Sequence, residues 1–590
     1  MIRQRAQRRW LPALLLACAS FASTVAQAGI RIEIDGVDGD LRRNVLAYLS
    51  VERYKDGDRI QEDTVVRLYN RIDDEVRSAV KPFGFYEPKI QTKFEPNAKD
   101  NDWRIEISID PGEPVMITSV DLNIEGEGAG DPALASIREQ TALRAGAQLN
   151  HGRYEQVKGD LQRTAAAYGY LDAKLLENEM LVDVSQHKAD IKLRLATGPR
   201  YKFGAVTIEQ SVIRPELMHR FLRFKEGDPY NTTQLLRTQF ALDDSLYFST
   251  VEVLPQERDR TALTVPVSIT AEKSSRSFSI GAGYGTDTDI RGTFGWTDSR
   301  LNDRGHRLRF EIKASSITRL IDARYDIPIG DPALERLSLD VVNRTEVLSD
   351  LDTTEFSITP SVTQVQGHWQ RVLSLAATHT QTDDGATSFS SNLLVPGISY
   401  ASVPEGFLGE TLFSRAFYAD LIGSHSALGS DADFLRLHVQ AERVFDIRPR
   451  WHLLLRGEFG TSLVQNFGDL PGIYRFFAGG DRSVRGFGYN SLSPVQQVTL
   501  KDGTVEMRTT GGRHLLVGSV EIARDLPRNL AVATFFDVGN AFNEFGDPMA
   551  YAAGIGLRYR LPVITVGLDV AQPLSQSGSP RLHLNISPKL

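Results

Sequence analysis

From about Ser277 almost to the end of the chain, apolar and polar residues alternate one by one. Leu308, Phe310, Ile312 and Ala314 alternate with Arg307, Arg309, Glu311 and Lys313, and Leu435, Leu437, Val439 and Ala441 with Arg436, His438, Gln440 and Glu442. Tyr551, Ala553, Ile555, Leu557 and Tyr559 share one face, as do Leu582, Leu584 and Ile586 further on. A period of two is that of a strand, whose successive side chains leave opposite faces. The runs are long, about 9–12 residues, as a tilted membrane-crossing strand requires. Residues 30–272 read differently, as mixed helix and strand in a repeat of roughly 75–85 residues. Each copy passes from a helical stretch through an aromatic turn into two strands. The turns are Phe83-Gly84-Phe85-Tyr86, Tyr168-Gly169-Tyr170 and Leu246-Tyr247-Phe248, the third without a glycine.

A sheet with one apolar face fits a soluble sandwich as well as a membrane barrel. The strand length favours the barrel, and so does the N-terminus. Arg3, Arg5, Arg8 and Arg9 precede a short apolar core and the small-x-small site Ala26-Gln27-Ala28. This pattern predicts a signal peptide over 1–28, cleaved between Ala28 and Gly29. No later segment holds 18 consecutive apolar residues, so a membrane-crossing chain must close into a barrel. Tight, proline-marked turns at Ile327–Pro332, Ile447–Arg450, Leu526–Arg528 and Leu561–Pro562 alternate with longer polar segments. Counted from the repeat end, about sixteen antiparallel strands put these turns on one side. The segment 465–513 becomes an outer loop between strands eleven and twelve.

Composition narrows the function. Cys18 is the only cysteine and lies in the signal, so disulfides and cysteine metal sites are excluded. The net charge of −8 falls to near −12 once the four signal arginines leave. An acidic exported chain is a poor partner for nucleic acid, and none is expected. Neither a His-Glu-x-x-His pair, a phosphate loop nor a nucleophile elbow is present. No enzyme activity, cofactor or metal is expected.

One segment stands apart: Arg475-Phe-Phe-Ala-Gly-Gly-Asp-Arg-Ser-Val-Arg-Gly-Phe-Gly-Tyr489. Its glycines permit close backbone approach. Arg485 remains charged, so its burial demands acidic partners. The segment, with its Val484-Arg485-Gly486-Phe487 core, resembles the signature loop of the Omp85 superfamily of outer-membrane assembly proteins. The resemblance implies that the loop folds back into a barrel lumen, where Glu521 and Asp537 on the next strands hold Arg485. Both acids have lumenal parity if Val520, Ile522, Phe536 and Val538 face lipid. The repeats, read as strand–helix–helix–strand–strand, resemble POTRA domains. The implied organisation is POTRA domains over 29–114, 115–199 and 200–272, then a 16-stranded transmembrane barrel over 273–590.

Three such domains resemble the TamA group of the superfamily. That resemblance implies a non-enzymatic function in the outer membrane of a Gram-negative bacterium, with the POTRA domains in the periplasm. The chain would insert unfolded β-barrel clients, autotransporters in particular. The first POTRA domain would bind a TamB-like, inner-membrane-anchored periplasmic protein. A lateral seam between the first and last strands would open toward outer-membrane lipid, at Gly281, Gly283 and Gly285 on one side and Leu582, Leu584 and Ile586 on the other. Glycine weakens a strand because it offers no side chain to pack. A cysteine near Ala282 and another near Leu584 are expected to report on it. The alternative is the outer-membrane terminus of a TamB-linked phospholipid conduit, which needs the same barrel. A passive pore is disfavoured by the long arginine-bearing loop and the periplasmic repeats.

Overall fold

The computed structural model describes residues 30–54, 61–97, 102–274, 276–403, 416–500, 503–561 and 564–588. The expected signal peptide, the Ala28–Gly29 cleavage site and Pro562 lie outside the described residues. Among these, no helix is long and apolar enough to cross a membrane.

Three small sheets come first, each covered by helices. In the first, β1 (Ile30–Asp35) pairs in parallel with β3 (Asp102–Asp110), which pairs antiparallel with β2 (Lys89–Asn97). The second holds β4 (Met116–Glu125), β5 (Lys174–Asp183) and β6 (Lys188–Ala196) in the order β4-β6-β5. The third holds β7 (Lys202–Glu209), β8 (Phe248–Pro255) and β9 (Thr264–Lys273) in the order β7-β9-β8. The last strand is central each time, and its alternation builds the core. Trp103, Ile105, Ile107 and Ile109 are buried against Val76, Ala79 and Val80 of the helix Ile72–Val80. On the other face Arg104 reaches Glu33 of β1 at 2.8 Å. Each fully buried aliphatic side chain contributes about 1.5–3 kcal/mol.

The aromatic turns explain both the glycines and the missing one. Gly84 and Gly169 have φ of +86° and +92°, which L-residues rarely adopt. Their carbonyls accept the N–H of Val115 (2.8 Å) and of Tyr201 (2.9 Å), where the following chain begins. A Cβ on either would fall within 2.8 Å of a backbone oxygen, of Leu149 and Tyr230 respectively. In the third copy Leu246 takes the same left-handed conformation, at φ +59°, with its side chain half exposed. A non-glycine residue there costs about 1–2 kcal/mol, and glycine's extra chain entropy offsets about half of that. Leu246→Gly is therefore expected to stabilise the protein by about 0.5–1 kcal/mol, read as a higher midpoint of thermal denaturation in detergent. A lower midpoint would show that the Leu246 side chain contributes more than its backbone costs.

Sixteen antiparallel strands then close into a barrel, from the first (Ser277–Gly285) to the sixteenth (Arg581–Pro588). Period-two alternation sorts their faces. Val520, Ile522 and Phe536 are exposed outward, whereas Ser519, Glu521, Phe535 and Asp537 are buried inward. A barrel satisfies backbone groups by pairing them between strands, as the hydrocarbon layer demands. Part of the inner wall carries small hydroxyls, among them Thr353, Ser357, Thr363, Thr380 and Thr382, all nearly inaccessible.

Contacts divide the chain into two compact units: one holds the first two sheets, the other the barrel with most of the third module. Within the latter, the module is fastened to barrel turns. Arg214 Nε donates to Asp303 at 2.7 Å and Arg220 Nη2 to the Gly330 carbonyl at 2.6 Å, while Arg223 pairs with Asp331. The buried Tyr247 hydroxyl donates to the Gly305 carbonyl at 2.6 Å, with the Arg307 guanidinium over its ring. Gly330 and Asp331 belong to the proline-marked turn noted in the sequence.

Candidate functional site

The segment 465–513 connects the eleventh strand (Trp451–Val464) to the twelfth (His514–Leu526). It begins on the hydroxyl wall, where the Gly472 N–H donates to Thr382 Oγ1 at 3.3 Å. Phe476 and Gly512 exchange backbone hydrogen bonds, and Ala478 and Leu492 do the same. These short rungs aim Val484-Arg485-Gly486-Phe487 inward, and all four residues are buried. Val484 and Phe487 pack with Leu515, Val517, Ala541 and Ala552 of the barrel wall. The two apolar residues of the core thus seat it, and the arginine between them meets the charged wall.

Arg485 is 5% exposed and uses its whole donor set. Nε and Nη2 donate to the two oxygens of Asp537, at 2.7 and 2.9 Å, and the Arg485 backbone N–H adds a third bond at 3.1 Å. Nη1 donates to Glu521 at 2.7 Å and reaches Asp569 at 3.5 Å. Ser519 Oγ donates to Asp537 at 2.6 Å, which satisfies a carboxylate that is wholly buried. The guanidinium lies over the Phe535 ring, 3.4 Å from its centre, where the π face attracts a cation. A planar fork fits this bidentate, stacked geometry, and a lysine cannot reproduce it. Arg558 pairs with Asp569 and approaches Glu521 at 3.9 Å, so three acids share two arginines. Arg456 donates to the Ser483 carbonyl at 2.9 Å and pins the loop just before its core.

The structure therefore brings Val484, Arg485, Gly486, Phe487, Glu521 and Asp537 together. Sequence reading missed Asp569, Ser519, Phe535 and Arg456. Asp569 carried a usable signal: it stands between Leu568 and Val570 as Glu521 stands between Val520 and Ile522.

The seam is shorter than its expected residues imply. Direct pairing of the first and sixteenth strands covers Tyr284 with Ile586 and Gly285 with Asn585, and the Thr286 N–H donates to the Leu584 carbonyl at 3.1 Å. By contrast, nine pairs join the first strand to the second and eight join the fifteenth to the sixteenth. Gly281 and Gly283 carry their pairing on the other side, to Thr293 and Arg291. Leu582 has no first-strand partner among the described residues. Leu584 lies opposite Thr286, so a cysteine there sits four residues out of register with Ala282. Gly285 and Asn585 are the matched positions.

Comparison with known proteins agrees with this architecture. The family model described as the Omp85 superfamily domain matches residues 273–587, more than half of the chain. Residues 31–111 match the POTRA domain TamA domain 1 family, and 201–270 match the POTRA family described as surface antigen variable number repeat. The chain is 23% identical over 444 residues to the outer membrane protein assembly factor BamA of Nitratidesulfovibrio vulgaris, covering 71% of this chain and 54% of that protein. It is 20% identical over 514 residues to BamA of Neisseria meningitidis serogroup B, covering 80% of this chain and 63% of that protein. The chain thus spans less than two thirds of these relatives. The crystal structure of BamA from Haemophilus ducreyi lacking POTRA domains 1–3 superposes with a TM-score of 0.61 at 15% identity, covering 80% of this chain and all of that one. This last likeness is one of fold.

Proposed function

Since the chain belongs to the Omp85 superfamily, we propose that it inserts β-barrel proteins into the outer membrane by opening the seam between its first and last strands. It is an outer-membrane barrel with periplasmic POTRA-like domains. The observation that carries the proposal is the seam itself, two residue pairs in a barrel whose neighbouring ladders hold eight and nine. An opened seam bares two strand edges, and an exposed edge templates an incoming strand through main-chain hydrogen bonds. Arg485, Glu521 and Asp537 act as the anchor that keeps the loop in the lumen while the wall works. No covalent step is involved.

Within the superfamily, the match of residues 31–111 to the TamA domain 1 family supports the translocation and assembly module. In this reading the modules are 29–114, 115–199 and 200–272, autotransporters are the clients, and the first module receives a TamB-like periplasmic protein. Depleting the protein is expected to reduce folded client barrels while phospholipid delivery to the outer membrane continues. The reverse result would replace this reading with the phospholipid conduit. Removing residues 29–114 is expected to abolish co-purification of the TamB-like partner, and unchanged co-purification would move docking elsewhere.

A further inference from the structure

A ladder of two pairs holds little, yet the seam is tied a second time, from inside. Asp481, four residues before Arg485, sits where three elements meet. Its backbone N–H donates to the Asp287 carboxylate, just beyond the first strand, at 2.6 Å. One of its own carboxylate oxygens is hydrogen-bonded to His583 Nδ1 on the sixteenth strand and lies 3.5 Å from the Thr286 hydroxyl. His583 is buried and also receives the Gly486 N–H on Nε2 at 2.9 Å. The same loop therefore grips both edges of the seam.

The preceding glycine makes this approach possible. Gly480 has φ +101°, and a Cβ there would lie 2.6 Å from the Asp287 carboxylate. A side chain at 480 would displace the Asp287 carboxylate from its contact with the loop.

The ligand-capable atoms of Asp287, Asp481 and His583 lie within 4.8 Å of one another, as in a cation site, but the hydrogen bonds point the other way. Nε2 accepts an N–H, so it carries no proton. In neutral imidazole the proton is then on Nδ1, which donates it to Asp481. No free nitrogen lone pair faces the carboxylates.

We propose that Asp481 and His583 form a hydrogen-bonded latch that holds the seam shut for as long as the loop stays seated by Arg485. The latch rests on the seam being the part that opens, and it makes loop position the control of that opening. Displacing the Asp481 end of the loop releases the first strand and the last strand together.

Hydrogen–deuterium exchange of the full chain in detergent tests this directly, because the Thr286 N–H is itself a seam hydrogen bond. Asp481→Ala is expected to speed exchange of the Thr286 peptide roughly five- to tenfold, the factor carried by one or two lost hydrogen bonds. Exchange across Val517–Glu521, beneath the Arg485 anchor, should stay as in the wild type. Asp481→Asn retains an acceptor oxygen for His583 and should exchange nearly like the wild type. Asp287→Ala, which removes only the grip on the first strand, should also speed Thr286 and gives a second route should Asp481→Ala fail to fold. Unchanged Thr286 exchange in both alanine variants would overturn the latch. Thr286 exchange slowed by added Zn2+ and quickened by a chelator in the wild type would also overturn it, in favour of a bound cation. Faster exchange in Asp481→Ala, together with client insertion that survives a complete disulfide between cysteines at Gly285 and Asn585, would leave the latch standing and remove the seam as the route of insertion.

Discussion

Replacing Arg485 with alanine is expected to strip the barrel of much of its heat resistance and to lower client assembly with it. The change leaves Asp537, wholly buried, without its cation and Glu521 with only the distant Arg558. Breaking a buried ion pair by removing one partner costs about 3–5 kcal/mol, because the remaining charge has lost its compensation. Ser519 still donates to Asp537, which keeps the effect toward the lower end of that range. Arg485→Lys should fall between alanine and wild type, since one ammonium cannot span Asp537 and Glu521 at once or stack on Phe535. Asp569→Ala should cost less than Arg485→Ala, because its contact with Arg485 is the longest of the three at 3.5 Å and the Arg558 it also leaves is partly exposed and keeps Glu521 at 3.9 Å. Heat-modified migration on gels, with urea midpoints, gives the ranking. A fully heat-resistant and active Arg485→Ala would remove the anchor.

The second large effect is on activity and not on folding. Cysteines at Gly285 and Asn585 are expected to abolish client insertion when oxidised and to restore it when reduced. Cys18 is the one other thiol in the sequence and lies in the expected signal peptide, so Cys18→Ala in the same variant makes the crosslink unambiguous. Because the Thr286 N–H bonds the Leu584 carbonyl, the neighbouring Gly285–Asn585 pair is of the non-hydrogen-bonded type. Its Cα atoms are then about 4.5 Å apart, within disulfide reach. Position 285 admits a Cβ with the Thr288 hydroxyl as its nearest neighbour, at 3.1 Å. A complete crosslink that leaves insertion untouched would exclude the seam.

Much of this was legible in the residues, and the boundary of legibility is physical. Alternation exposes which face a strand residue takes, so Glu521 and Asp537 could be assigned to the lumen from Val520, Ile522 and Phe536 alone. The loop arginine could be recognised from its neighbours and its need for acids. Contacts between residues far apart in sequence had no such signal. His583 reads as an ordinary lumenal polar residue until the barrel closes and sets it beside Asp481, 102 residues away. The seam register was hidden for a related reason. Turns fix the register of consecutive strands, but no turn joins the first strand to the last. Their offset follows from the stagger of all sixteen strands, which is why Ala282 and Leu584 do not face each other. Leu246 was read as a missing glycine, yet the backbone takes the glycine conformation there regardless, since the packing of Tyr247 and Phe248 outweighs the local strain.

The fastening of the third module to the barrel turns has a practical consequence for chimeras. Arg214, Arg220, Arg223 and Tyr247 all contact residues between Asp303 and Asp331. A swap joined at residue 273 would graft a foreign module onto this barrel and sever all four contacts, leaving the Gly305 carbonyl without its donor. A swap joined near residue 199, just before β7 (Lys202–Glu209), carries module and turns across together. Exchanged periplasmic arms should therefore be tolerated when the cut precedes the third module, and transplanted third modules should need matching residues at 303 and 331.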